Sequence, residues 1–372
     1  MTTSSLLRPA LAAVLLALGG DWEVARPDYR WSFPRDHWAH PAYRTEWWYF
    51  TGHLAAEGDS LPRFGYQFTV FRIGLLPQRP ALRSDWSATM LIMGHAAVTD
   101  LRTGQHRFSE VLYRAIPLLG GFGAPGDSLI AWSRASAGTD GRWTLRWNGA
   151  GFDFAMRDER QRMAFALGTA PRRPLIFQGP NGFSRKGAGE TAASLYYSFT
   201  RLATAGTLTL DGTTYATSGT SWMDQEIGSN QLGREQVGWD WFSLQLDDGR
   251  DLMVYGLRDS TGGVSWASGT LVPREGAPEY LVRDAFTVTA TERWESPETH
   301  APYPSRWRVS VPAAGLDLDV VPLLADQENR SALATKLFYW EGAVQVRDRA
   351  GRVRGRGYVE LTGYGTGARP AF

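Results

Sequence analysis

The chain has 372 residues, more than one hydrophobic core usually serves, so two domains are expected. Its 39 Lys and Arg residues nearly balance 38 Asp and Glu residues, and a net charge of +1 offers no basic surface for nucleic acid. The absence of cysteine excludes disulfides, thiolate metal sites and a cysteine nucleophile.

The first twenty residues have the pattern of a secretory signal peptide. Arg8 precedes an apolar run over residues 10–18 that is too short to span a bilayer, and Ala17-Leu18-Gly19, at the end of this run, is an acceptable small-x-small cleavage site. We therefore expect residues 1–20 to be a signal peptide and the protein to be periplasmic or secreted. The alternative is a mildly apolar, frayed terminus.

The hydrophobic pattern after this segment has a period of two, which is typical of β-strands. In RWTLRWNGAGFDFAM, apolar residues alternate on both sides of Asn148-Gly149, a dipeptide that favours a type I′ hairpin turn. Further hairpin turns are predicted at residues 211–212, 248–249 and 350–351. No segment carries a long apolar stripe of helical period, so the sequence predicts an all-β, antiparallel fold.

The stretch HPAYRTEWWYFTGHL places Glu46 directly before three aromatic residues. In a strand, Glu46 and Trp48 share one face, and Trp47 and Tyr49 share the other. If the Glu46 face lines a cavity, Glu46 is a candidate catalytic acid and Trp48 a candidate ligand contact. Otherwise Glu46 points outward and pairs with Arg44 or another cation, because glutamate is rarely buried unpaired.

Other polar groups lie near or within apolar segments. His95, in LIMGHAAV, is either a satisfied core histidine or a hydrogen-bond donor in a pocket. Tyr196 and Tyr197, in SLYYSFTRL, fall on opposite faces of a strand. His37 and His40 have HxxH spacing, but a metal site needs three or four converging ligands, so no metal is expected.

The most suggestive acidic segment is TSGTSWMDQEIGSNQLG, residues 217–233. In an extended strand, Trp222, Asp224 and Glu226 share one face. Burial against an indole raises the pKa of a carboxyl, so one acid could stay protonated near neutrality and protonate a carbonyl or an alkene. The competing interpretation is a Gly-flanked linker with two solvated acids.

The chain also contains an internal repeat. WWYFTGHL at residues 47–54 aligns with WDWFSLQL at residues 239–246, which places Trp239 and Trp241 in the second copy. Each copy is followed by a turn and two more strands. Two copies of one β-barrel or β-sandwich module would explain the length of the chain.

Several of these segments resemble, in their order, the AttH/CrtC-type lipocalin-like family, which includes carotenoid 1,2-hydratases (hydroxyneurosporene synthases). The matching segments are EWWYFTGHL, FGYQFTVFR, GHAAVTD, FQGPNGFSRKG, SLYYSFTRL, GTSWMDQEIGSNQL, GWDWFSLQL, YWEGAV and GRGYVELTGY. The resemblance implies two tandem lipocalin-like antiparallel β-barrels, at residues 30–215 and 216–372, with a ligand cavity and neither metal nor organic cofactor. It also implies that Asp224 is the proton donor, although Gln225 stands where the family more often has His.

The residues and the resemblance together suggest a cofactor-independent hydro-lyase that adds water to an apolar isoprenoid double bond. Asp224 would protonate the alkene, and water held by Glu226 or Glu46 would add to the cation. The hydrophobic ligand, an isoprenoid or other polyene, would contact Trp48, His95, Tyr197, Trp222, Trp239 and Trp241. The alternative is a non-catalytic exported carrier of such a ligand, with a membrane-associated partner of an ABC-type export system.

Overall fold

A computed structural model describes residues 21–79, 84–230, 232–233, 235–333 and 338–365. The predicted signal peptide, residues 1–20, lies outside the described residues. Helical structure within them is limited to the 3-10 turns Arg35–His37, Pro180–Gly182, Arg283–Ala285 and Pro312–Ala314. None of the described helices is long and apolar enough to cross a membrane.

Within the described residues, thirteen antiparallel strands form the first sheet. They are β1 (Thr45–Ala56), β2 (Phe64–Gly74), β3 (Met90–Asp100), β4 (Gln105–Arg114), β5 (Gly120–Phe122), β6 (Leu129–Arg134), β7 (Arg142–Trp147), β8 (Phe152–Asp158), β9 (Met163–Pro171), β10 (Ile176–Phe177), β11 (Phe183–Arg185), β12 (Ala193–Leu210) and β13 (Thr213–Gly228). This sheet curls into a nearly closed barrel.

The part of the chain that the structure describes contributes ten antiparallel strands to the second sheet, which is a half-barrel. They are β14 (Gln236–Leu246), β15 (Asp251–Asp259), β16 (Val264–Val272), β17 (Glu279–Val282), β18 (Thr287–Glu295), β19 (Pro302–Val311), β20 (Leu316–Pro322), β21 (Glu328–Arg330), β22 (Phe338–Arg347) and β23 (Val353–Thr362). The all-β, lipocalin-like fold predicted from the sequence is therefore confirmed.

The order of the strands repeats between the two sheets. The first runs β4-β3-β2-β1-β13-β12-β9-β8-β7 and continues with β6 and β5. The second runs β17-β16-β15-β14-β23-β22-β20-β19-β18. The aligned segments 47–54 and 239–246 lie in β1 and β14, which occupy the same place in this order. The internal repeat seen in the sequence is thus a repeat of topology.

The division between the sheets falls later than the predicted domain boundary at residues 215 and 216. That boundary lies inside β13, which pairs with β12 from Thr213 to Gly228 and with β1 from Thr217 to Gly228. The second sheet begins only at Gln236. Residues 216–228, which carry the acidic segment, therefore belong to the first sheet.

Side-chain alternation along β1 separates the barrel core from a second core between the sheets. Trp48 and Phe50 are buried in the interior of the first barrel. Tyr49, on the opposite face, packs in a separate cluster with Trp241 and Tyr255 of the second sheet. Because successive side chains of a strand point to opposite faces, β1 serves both cores at once. The two sheets therefore meet through aromatic side chains.

Candidate functional site

A cleft opens between the two sheets. Its empty space is about 950 Å³, including the part open to solvent. One wall comes from β12, β13, β1, β2 and β3, and the other from β14, β15, β22 and β23. Eight of the residues that line it are aromatic: Trp47, Tyr49, Phe71, Tyr196, Trp239, Trp241, Tyr255 and Tyr339. A concave aromatic surface with a few polar groups is typical of a small-molecule site.

A row of four side chains crosses the first wall perpendicular to the strands. In the register of the sheet, Asp224 lies opposite Tyr49, Tyr49 opposite Thr69, and Thr69 opposite His95. Directly opposite residues of paired strands share a face, and all four line the cleft. Adjacent strands lie about 4.8 Å apart, so the backbone positions of Asp224 and His95 are separated by about 14 Å.

Asp224 is a buried carboxyl group with three donors. Trp222 Nε1 donates to Oδ1 over 2.7 Å, the Ser198 hydroxyl donates to the same oxygen, and the Tyr196 hydroxyl donates to Oδ2 over 2.6 Å. Burial raises the pKa of Asp224 to about 7; the three donors oppose this rise and the nearby Glu226 adds to it. The carboxyl is therefore set to exchange a proton near neutral pH.

Tyr196 connects this carboxyl to the cleft. Its hydroxyl accepts a hydrogen bond from Trp241 Nε1 over 3.1 Å while it donates to Asp224. Burial and the charge of Asp224 raise the pKa of Tyr196 well above its usual value, so the hydroxyl keeps its proton. Both residues line the cleft. A proton on Asp224 thus has a hydroxyl path toward a bound ligand.

Glu226, the second acid of the segment, is held in an ion pair. Lys186 Nζ lies 2.6 Å from Glu226 Oε1, which also accepts from the Ser194 hydroxyl. The ammonium lies 4.2 Å from the ring centroid of Tyr255 and 5.1 Å from that of Tyr196. Burial alone would lower the pKa of Lys186, but Glu226 outweighs it and the pKa is raised. Sequence reasoning did not assign Lys186 to this site.

Two further glutamates on the opposite wall were also missed. Glu360 lines the cleft and accepts a hydrogen bond from Trp239 Nε1 over 2.8 Å. Burial raises its pKa to about 7, and Glu226 and Asp224 act in the same direction. Glu341 lies directly across from Glu360 in the β22–β23 pairing; burial, and then the charge of Glu360, raise its pKa well above the usual value, and the Tyr49 hydroxyl opposes this rise. Strand alternation alone carries no signal that such residues face a cleft.

The expectation that the Glu46 face lines the ligand cavity is wrong. Glu46 is fully buried on the other side of β1, where its carboxylate lies 3.1 Å from Arg72 Nε and 2.7 Å from His40 Nδ1. Burial alone would raise the pKa of Glu46, but these two cations lower it. The register explains the placement: Asp224 pairs with Tyr49, so the cleft face of β1 carries Tyr49, and the residue on the other face is turned away.

Trp48 and Tyr197 are displaced from the cleft for the same reason. Trp48 Nε1 donates to the carbonyl of His37 over 2.9 Å inside the first barrel. The Tyr197 hydroxyl lies 2.6 Å from His37 Nδ1 and donates to Gln225. Of the two histidines with HxxH spacing, His37 therefore contacts Tyr197 and His40 contacts Glu46. Neither Trp48 nor Tyr197 lies at the cleft surface, which corrects their predicted contact with the ligand.

The remaining predicted site residues are brought together. Asp224, Glu226, His95, Trp239 and Trp241 all line the cleft. Trp222 stands behind Asp224 and reaches the site through its indole hydrogen bond. Their roles in any reaction stay predictions.

Comparisons with known proteins agree with this fold. The AttH-like family model matches residues 24–364. The crystal structure of a protein assigned as AttH from Nitrosomonas europaea is similar over 92% of this chain and 99% of that chain, with 32% identity and a TM-score of 0.80. Kievitone hydratase from Nectria haematococca has a similar fold, with 14% identity, a TM-score of 0.64, and 93% of this chain and 96% of that chain covered. A comparison with curated proteins gives no match.

Proposed function

This chain belongs to the AttH-like family, and from that premise we propose that it is a cofactor-independent hydro-lyase. It would add water to a carbon–carbon double bond of a largely apolar, isoprenoid-like ligand held between the sheets. The observation that carries the proposal is Asp224, a carboxyl buried at the wall of an aromatic cleft with a pKa near 7. A fold similar to that of a protein named as a hydratase supports it. Carotenoid 1,2-hydration is the form of this reaction that the resemblance to CrtC-type proteins suggests.

The first step of the proposed mechanism is protonation of the alkene. When Asp224 is protonated, it donates to the Tyr196 oxygen, the reverse of the bond to the carboxylate. The Tyr196 hydroxyl then gives its own proton to one alkene carbon and receives the proton of Asp224, which becomes the carboxylate. The π electrons of the double bond form the new C–H bond and leave a cation on the neighbouring carbon. The faces of Trp241 and Tyr255, both in the cleft lining, stabilise this charge.

The second step is addition of water on the opposite wall. The oxygen of a water molecule bonds to the cation and loses one proton to Glu360, which must be ionised to accept it. Return of that proton to Asp224 restores the starting state, so the net change is one water added. This role for Glu360 replaces that expected for Glu46, which is paired with Arg72 away from the cleft.

The test compares wild type with Asp224→Asn. Both proteins are incubated in ¹⁸O-labelled water with acyclic isoprenoids that end in a trisubstituted double bond, farnesene and farnesol among them, and hydrated products are measured by mass spectrometry. Loss of the acid should lower the rate by about 10²–10⁴-fold. Asp140→Asn, the same change at an exposed position, serves as the matched control and should keep full activity. Label incorporation by Asp224→Asn at the wild-type rate would refute the mechanism.

A non-catalytic carrier is the second candidate, and one observation favours it. Both oxygens of Asp224 already accept hydrogen bonds from protein donors, as a purely structural carboxylate would. As a carrier, the protein would be exported, would bind the hydrophobic ligand in the same cleft and would deliver it to a membrane-associated partner. Isoprenoid binding without labelled product at any pH between 5 and 9 would favour this function.

A further inference from the structure

His95 lies at the end of a chain of buried hydrogen bonds. His95 Nδ1 is 2.8 Å from the Tyr339 hydroxyl, which accepts from Gln67 Nε2 over 3.2 Å. Gln67 Oε1 accepts in turn from Asn329 Nδ2 over 3.1 Å, and His106 Nε2 lies 2.9 Å from Asn329 Oδ1. In this arrangement the N–H of Gln67 is directed at Tyr339 and its Oε1 at Asn329. It requires the single ring proton of His106 on Nε2, with the Thr99 hydroxyl, 2.8 Å from Nδ1, donating to that nitrogen.

The series of hydrogen bonds determines which ring nitrogen of His95 carries the proton. The Tyr339 oxygen accepts from Gln67, so the acceptor that remains for its own proton is His95 Nδ1. Burial lowers the pKa of His95 to about 3, so the ring is neutral and has a single proton. With Nδ1 acting as the acceptor, that proton sits on Nε2. Among the described residues, Nε2 has no hydrogen-bond partner.

The position of His95 indicates what its unpaired Nε2–H group can bind. The side chain lines the cleft and is 1% exposed, and its ring is packed by Phe71, Phe108 and Tyr339 with centroid distances of 5.3, 5.2 and 5.7 Å. A buried N–H without an acceptor destabilises a protein, whereas an oxygen atom of a ligand would satisfy it. His95 also stands at the far end of the row that begins at Asp224, about 14 Å away along the wall.

We propose that His95 Nε2–H binds an oxygen acceptor at one end of the ligand. The substrate class is then an elongated apolar molecule whose hydroxyl, ether or carbonyl oxygen lies remote from the double bond next to Asp224, not an unsubstituted hydrocarbon. The assignment of the reacting end rests on the proposed function; the assignment of the oxygen end rests on the hydrogen-bond chain alone. Three strand spacings set the distance between the two ends.

Calorimetric titration with three probes of the same chain type tests the oxygen end. Farnesol and farnesyl methyl ether carry a terminal oxygen, and farnesene does not. Wild type should bind both oxygenated probes about 3- to 10-fold more tightly than farnesene, the value of one hydrogen bond. The ether can only accept, so its advantage requires a donor on the protein. His95→Phe should remove the preference, and His95→Gln, which keeps an acceptor for Tyr339 and a donor, should restore part of it.

Histidine ¹⁵N NMR tests the same claim in the wild-type protein, independent of how the variants fold. The chain has six histidines, and the signal missing in His95→Phe or His95→Gln identifies His95. We expect an unprotonated Nδ1 and a protonated Nε2 whose resonance moves on addition of farnesol but not of farnesene. A protonated Nδ1, an Nε2 signal unmoved by farnesol, equal affinity for all three probes, or no binding of any probe would overturn the proposal.

The outcomes for the two proposals can be separated. A preference for farnesol without ¹⁸O incorporation keeps the oxygen site and removes the hydro-lyase. Hydration of farnesene by an Asp224-dependent reaction, with no preference for oxygenated probes, keeps the hydro-lyase and removes the oxygen site.

Discussion

Asp224→Asn should change how the stability of the protein depends on pH, whatever the substrate is. Burial raises the pKa of Asp224 from 3.8 to about 7. Below pH 4 the group is protonated in both the folded and the unfolded chain, so it does not change the free energy of unfolding. Between pH 4 and 7 the unfolded chain releases a proton that the folded protein keeps, and the free energy of unfolding falls by about 1.4 kcal/mol per pH unit. Above pH 7 both states are ionised and the loss is constant, at about 4 kcal/mol for three units.

Asparagine suits this site because it keeps the shape of the side chain. Its Oδ1 can accept from Trp222 and Ser198, and its Nδ2 can donate to the Tyr196 oxygen. It cannot ionise, so its free energy of unfolding lacks the Asp224 contribution. Stability relative to wild type should therefore rise by about 4 kcal/mol between pH 4 and pH 9.

The measurement is denaturant unfolding of both proteins at intervals from pH 4 to pH 9, followed by tryptophan fluorescence. Taking the difference between the two proteins cancels the shared titrating groups that the charge of Asp224 does not influence; Glu360, whose pKa that charge raises, contributes to the difference together with Asp224. Asp140→Asn, at an exposed position, provides the control curve. A difference that stays constant within about 0.5 kcal/mol over this range would show that Asp224 does not titrate near neutrality. Asp224 could then not act as a general acid near neutral pH.

Two further predictions concern the packing that positions the cleft. Glu46→Gln should lower the free energy of unfolding by about 3–5 kcal/mol, because Arg72 is fully buried and would lose its carboxylate partner; a loss below about 1 kcal/mol in denaturant unfolding would contradict a structural role for this pair. Gly65→Ala should cost about 1–3 kcal/mol, since its new Cβ would lie 2.8 Å from both Ala343 Cβ and the Tyr358 hydroxyl of the second sheet. A neutral result at this position in thermal unfolding would mean that the sheets are not packed as closely as described.

Strand alternation and turn chemistry were enough to predict an all-β, antiparallel fold, whereas the lipocalin-like barrels were implied by the family resemblance. The Asn-Gly, Asp-Gly and Ala-Gly pairs at 148–149, 211–212, 248–249 and 350–351 all lie between paired strands, and their glycines have φ between +80° and +98°. Such φ values are open to glycine without steric cost, so the dipeptides mark hairpins by a local rule. The repeat of WWYFTGHL and WDWFSLQL likewise predicted a repeated strand order, because the same local pattern forms the same strand.

Strand alternation predicted only part of the candidate site. Trp222 and Asp224 are near neighbours in sequence, so their contact follows from the period of one strand. Glu360 and Lys186 reach the cleft from segments far along the chain, and no local pattern marks them. Their placement depends on how the two sheets pack.

Strand β1 shows most directly that the sequence pattern cannot identify the face that lines the cleft. The sequence by itself determined that Glu46 and Trp48 lie on one face and Trp47 and Tyr49 on the other, since a period of two allows nothing else. Only the tertiary structure decided which face looks into the barrel and which into the cleft. Both faces are apolar enough to be buried, so alternation could not distinguish them. The choice came from the pairing of β1 with β13 and from the second sheet that covers it.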